Sequence, residues 1–134
     1  MKLLDLPIFG WVNGRRDVKI LRHRDTSQDL WALRQAGEFE EYQNGQSWDV
    51  FGDAKYLLSF IAERNRFAKF VGVWKVHSKL TKSKGYSYVT EELPGYSDLA
   101  GRLVVEWGSG ARSWAQWLHR AGNKSIFELL PPKS

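Results

Sequence analysis

Two neighbouring stretches constrain the fold more than anything else in the chain. Residues 54–63 (AKYLLSFIAE) alternate with period two, and both sets are mostly apolar: Tyr56, Leu58, Phe60 and Ala62 on one side, Leu57, Ser59 and Ile61 on the other. A strand that is apolar on both faces belongs in the middle of a sheet, with a layer packed on each side of it. Arg64, Asn65 and Arg66 then read as a tight connection into a second, longer strand over 67–77. There Phe70, Gly72, Trp74 and Val76 are expected to face away from Val71, Val73, Lys75 and His77. Gly72 within that run marks a bulge or a bend.

Around this hairpin the chain supplies further strands in succession. Residues 1–16 are an irregular lead-in punctuated by Pro7, Gly10 and Gly14, from which Leu4, Leu6, Ile8, Phe9 and Trp11 are expected to pack down as a cover. Residues 18–23 (VKILRH) form a short strand with Val18, Ile20 and Arg22 on one face. Asp25, Thr26 and Ser27 are good caps for a helix over 28–35, striped by Leu30, Trp31 and Leu33 and stopped by Gly37. Residues 38–46 fit either a further helical turn or a loop, with a turn at Asn44-Gly45. Residues 78–85 (SKLTKSKG) read as a polar, lysine-rich loop, 86–92 as a strand, and Pro94-Gly95 as a turn. A strand over 102–107 leads to the Gly108-Ser109-Gly110 turn, a short helix over 113–120 carries Trp114, Trp117 and Leu118, and a last strand covers 124–130. Five or six strands with one or two short helices at the side make an α+β domain over 1–134. Its sheet is expected to be strongly curved and mostly antiparallel, or closed into a small β-barrel.

Composition narrows the function classes. The 134 residues hold no cysteine, which removes disulfides, thiolate nucleophiles and cysteine-based zinc sites together. No run of apolar residues is long enough for a membrane-spanning helix, and the N-terminus lacks the features of a signal peptide, so a cytoplasmic protein is expected. Twenty Lys+Arg against fifteen Asp+Glu give a net charge of +5, which favours a polyanionic partner. Seven Trp, five Tyr and seven Phe are more rings than one small core requires. Basic charge with spare aromatics is a composition suited to nucleic acid.

Enzymatic motifs are missing. Gly108-Ser109-Gly110 lacks the third glycine of a dinucleotide fingerprint, and the chain has no Gly-Lys-Ser/Thr phosphate loop and no Gly-x-Ser-x-Gly elbow. His23, His77 and His119 are scattered without metal-binding spacing, so a hydrolase would need them to converge on a carboxylate in space. No catalytic residue, metal or cofactor is expected. Binding chemistry is better served. Tyr42, Gln43, Gln46, Trp48 and Phe51 cluster beside a turn, and a glutamine can read an adenine edge while rings wall a flipped base. Ser113 and Trp114 follow the glycine-serine-glycine turn and are expected to complete that pocket. Arg22, His23, Arg24, Arg112, Lys82 and Lys84 are expected to hold backbone phosphate. The alternative is a protein-interaction or scaffold domain whose rings are simply core and interface.

Several of these segments resemble successive motifs of one family. They are Leu21-Arg22-His23-Arg24-Asp25, Glu38-Phe39 with Glu41-Tyr42-Gln43 and Gln46, residues 56–61, and Gly101-Arg102-Leu103-Val104 through Trp107-Gly108 to Arg112-Ser113-Trp114-x-Gln116-Trp117. Together they resemble the accessory region that precedes the catalytic domain in bacterial GIY-YIG nuclease-family proteins, over about residues 18–131. The nuclease motifs themselves are not in this sequence, and Pro131-Pro132-Lys133-Ser134 stands where a linker is expected to start. The alternating strands are also similar to the PUA-like superfamily of curved barrels, which includes the EVE, YTH, ASCH and SRA domains. The resemblance implies a non-catalytic module that reads a modified or flipped base in double-stranded DNA and delivers a nuclease domain, in cis or in trans, for restriction or phage defence.

Overall fold

The computed structural model describes residues 3–23, 31, 52–62, 67–82, 85–106, 115–121 and 128–129, which contain a seven-stranded sheet. β1 (Val18–His23) runs parallel to β2 (Tyr56–Ala62), with Val18 opposite Tyr56 and His23 opposite Ile61. Residues 24–55 are long enough for the crossover that a parallel pair requires. β3 (Phe67–Lys82) lies antiparallel to β2. The other edge of β3 is shared by two strands: β5 (Val104–Glu106) opposite Phe67, Ala68 and Lys69, and β4 (Gly85–Glu92) from Trp74 to Lys82. Residues 93–103 bridge the gap between them without leaving the edge. Leu93 N–H donates to the Val73 carbonyl at 2.8 Å, Gly101 N–H to the Phe70 carbonyl at 2.7 Å, and Phe70 N–H to the Leu103 carbonyl at 2.9 Å.

β6 (Ala115–Trp117) pairs with the free side of β1 and continues into a single helical turn, α1 (Leu118–Ala121). β7 (Glu128–Leu129) pairs with β5. The order is β6-β1-β2-β3-β5-β7, with β4 beside β3. The sheet is therefore mixed, with β1–β2 its one parallel pairing among the described strands. Among the described residues the path is open, with β6 and β7 at its two ends, so the described pairings make a sheet and not a closed barrel.

β2 is central, as its two apolar faces require, and each face builds a core. Leu58 and Phe60 join Val18, Ile20, Ala68, Phe70, Val73 and Val105 on the first face. Leu57 and Ile61 join Leu21, Val71, Trp74 and Tyr88 on the second, with Trp31 and Trp117 packed against them. The lead-in forms two 3-10 turns, Leu3–Asp5 and Pro7–Val12, and closes the first face with Leu3, Phe9 and Val12. Phe9 meets Phe70 edge to face at 5.5 Å. Burial of a ring such as Phe9 contributes roughly 1.5–3 kcal/mol, enough to dock a segment made only of short turns. Ile8, expected in this cover, is instead 37 % exposed.

Three expectations are corrected. Two bulges break the alternation of β3. Ser59 pairs with Gly72 and Phe60 with Phe70, which makes Val71 an extra residue, and Val76 pairs with Thr90 while Ser78 pairs with Val89, which does the same at His77. Gly72 thus sits next to a bulge, as expected, but Phe70 shares its face with Val73 and not with Trp74. The lysine-rich segment is not a loop: β3 runs on to Lys82, opposite Gly85, because β4 satisfies its backbone groups there. Residues 115–117 are strand and not helix, since their backbone completes the edge of β1. Trp31 is helical, and the rest of the predicted helix over 28–35 lies outside the described residues.

Candidate functional site

An open cleft of about 700 Å³ lies where the approach to β1 meets β6 and α1. Its walls come from three places in the chain: Arg15, Arg16 and Asp17 before β1, Asp53 before β2, and Trp117 and His119 at the junction of β6 and α1. The β1–β6 pairing is what brings Trp117 here, since it places that residue opposite Lys19.

The two arginines are in different states. Arg15 forms a fork with Asp17, Nε to Oδ1 at 2.9 Å and Nη2 to Oδ2 at 2.7 Å. Its guanidinium also lies 4.8 Å from the Tyr56 ring centre and 5.8 Å from that of Trp11. The bond from Arg15 holds the Asp17 carboxyl below its ordinary range, and the same bond raises the Arg15 guanidinium. Arg15 is therefore committed to shaping the wall, whereas Arg16 is exposed on it.

Lys19 is the less expected residue. It is only 8 % exposed, and its Nζ stands 4.8 Å from the centre of the Trp117 indole. An ammonium held against an indole and away from water is a favourable cation–π arrangement. Gly52 (φ +57°) closes over the pair: a Cβ there would lie 3.7 Å from both Lys19 Nζ and Trp117 Cζ2. Lys19, His23 and Ser59 are the buried polar or charged residues among those described, and all three lie on the second face, Lys19 and His23 on either side of Leu21. Buried polar groups are costly and persist where they are bonded or paired. Lys19 was legible as a charged residue at an inward position of an apolar strand; nothing in the sequence paired it with Trp117.

Of the residues expected to bind phosphate, Arg22 is half-buried and donates from Nη2 to the Phe67 carbonyl at 3.5 Å. His23 is 2 % exposed, because Leu21, Lys19 and His23 share the inward side of β1; it presents no surface to a phosphate. Lys82 is placed by its backbone, opposite Gly85. Arg24, Lys84, Arg112 and the proposed pocket residues Tyr42, Gln43, Gln46, Trp48, Phe51, Ser113 and Trp114 lie outside the described residues. Of the three histidines only His119 lines the cleft; His77 is exposed, with Nε2 2.8 Å from Glu91 Oε1. Among the described residues no group of three or more His, Asp or Glu is arranged to hold a metal. Comparison with protein-family models, with characterised proteins and with solved structures finds no match to this chain.

Proposed function

We propose that the chain is a non-catalytic DNA-recognition module, of the PUA-like kind its sequence resembles, which holds an unstacked or modified base against a partly exposed ring. The observation that carries this reading is the composition of the cleft: Trp117 in its wall, the exposed cation Arg16 beside it, and the Lys19 ammonium against the indole. An aromatic platform flanked by cations suits a nucleotide, whose base stacks while its phosphate is held electrostatically. The net charge of +5 supports the same partner. Delivery of a nuclease domain to modified DNA, as in restriction or phage defence, follows from the sequence resemblance alone.

The test is a binding panel of plain, methylated, hydroxymethylated and glucosylated duplexes at fixed salt, read by anisotropy of labelled DNA. One modified duplex is expected to bind more tightly than the plain one. Trp117→Ala should weaken that preferred binding by about ten-fold or more, the equivalent of losing roughly 1–3 kcal/mol of stacking. Trp117→Phe, which keeps a ring, should retain most of it. Binding that ignores both the modification and salt would favour a protein-interaction surface instead, since phosphate contacts weaken steeply as salt rises.

A further inference from the structure

From Arg64 to Thr90 the chain carries seven lysines and arginines and no aspartate or glutamate. The fold turns the distal part of that stretch into a two-stranded ribbon. β2 accompanies β3 only as far as Lys75, and β5 accompanies it only at Phe67, Ala68 and Lys69, whereas β4 remains paired with β3 from Trp74 to Lys82. Beyond Lys75, β4 is the only strand paired with β3 among the described residues. Residues 76–82 extend roughly 20 Å at the rise of a strand. The bulge at His77 lies where the ribbon parts from the sheet, and a bulge increases local twist and re-aims the strand that carries it. His77, Ser78 and Val89 near this point are exposed, Val89 to 49 %, whereas Tyr88, opposite Lys79, is buried in the second core, so the ribbon leaves the sheet with one side packed and the other open. Charge is distributed along the ribbon with a sign. Glu91 and Glu92 stand at its base, opposite Lys75 and Trp74, while Lys79 and Lys82 stand further out, opposite Tyr88 and Gly85.

We infer that this ribbon enters the major groove of duplex DNA, as a second contact beside the cleft; the inference rests on the nucleic-acid reading above. The major groove of B-form DNA, about 12 Å wide, admits a two-stranded ribbon, and its walls are rows of phosphates that Lys79 and Lys82 complement. The deep, narrow major groove of duplex RNA does not admit one. The partner is therefore B-form DNA, and the ribbon fixes the position from which the cleft meets a base.

The experiment compares the full chain with Lys79→Gln/Lys82→Gln, both checked for native circular dichroism. Affinity is measured against salt for a DNA duplex, an RNA duplex of the same sequence and the DNA single strand. On the DNA duplex the slope of log affinity against log salt should become shallower by about 2 in the variant, because each lysine neutralises one phosphate. On the RNA duplex and the single strand the change should be less than half as large. A variant that keeps the wild-type slope on duplex DNA overturns the ribbon contact and leaves the nucleic-acid reading standing. An equal change on all three probes overturns the groove placement, and a wild-type protein that binds none of them overturns both readings together.

Discussion

Arg15 and Asp17 are two residues apart, at the mouth of a strand, and their fork fixes one wall of the cleft before the sheet begins. The carbonyl of Asp17 also accepts from the backbone N–H groups of Lys55 at 2.8 Å and Tyr56 at 3.2 Å, so the same residue joins the start of β1 to the start of β2. Because the Asp17 carboxyl is held below its ordinary range, its ionised form is favoured in the folded state. A depressed folded value means that the stabilisation is complete above the unfolded value, about pH 4, and is lost as pH falls through the lower folded value. Asp17→Asn should therefore unfold at lower urea than the wild type near neutral pH. The two should converge only as pH falls through that lower folded value, beneath which the wild-type carboxyl is also neutral. A difference in urea midpoint that persists unchanged into strong acid would show that the fork contributes nothing through its charge.

β3 is the element on which the rest of the sheet is assembled, and its bulges decide which residues reach which core. Gly72 beside the first bulge leaves room for Trp74: a Cβ there would come within 3.0 Å of Cη2 and Cζ3 of that indole. Trp74 is 5 % exposed and packed in the second core, so it cannot swing aside cheaply. Gly72→Ala should destabilise the protein by about 1–3 kcal/mol in chemical denaturation, the usual cost of an overpacked core; an unchanged midpoint would mean that the indole relocates without loss. The same element shows where the sequence is legible. The central place of β2 followed from its two apolar faces, and β1 followed from Val18 and Ile20 sharing a face with Arg22, because burial imposes period two directly on composition. Gly72 signalled a bulge but not its direction, since inserting Val71 reverses the parity of the residues from there to the second bulge at His77. The lysines at 79 and 82 concealed the outer half of β3, because a ribbon that satisfies its own backbone bonds needs no apolar side chains to mark it. β6 was hidden by Trp114, Trp117 and Leu118, whose spacing suits a helix turn, while the exposed edge of β1 required a strand. The cleft was less legible than the fold: its walls lie at positions 15–17, 53, 117 and 119, and only pairing across β1 and β6 assembles them.

The two faces of the sheet differ in what they bury. Phe9, Phe60, Phe70 and Tyr96 meet on the first face with ring centres 5.5 to 6.3 Å apart, which accounts for four of the chain's many rings as core. Tyr96 is the clasp. It reaches across from the connection between β4 and β5, donates its hydroxyl to the Ile8 carbonyl at 2.8 Å and accepts from Trp11 Nε1, so the lead-in is tied down by a residue far away in sequence. The second face holds Lys19, His23 and Ser59 among the tryptophans Trp31, Trp74 and Trp117. If the first face holds the fold and the second meets the ligand, variants on the two faces must separate stability from binding. Tyr96→Phe removes both hydroxyl bonds while keeping the ring, and should lower stability by about 1 kcal/mol, the usual net worth of part-buried hydrogen bonds. Its affinity for duplex DNA, measured well below the melting temperature, should equal that of the wild type. Trp117→Ala should do the reverse in emphasis, with loss of the preferred duplex exceeding what its change in stability explains. A Tyr96→Phe protein that remains folded yet loses DNA as Trp117→Ala does would end the division between the faces, because the lead-in and its clasp would then belong to the binding surface.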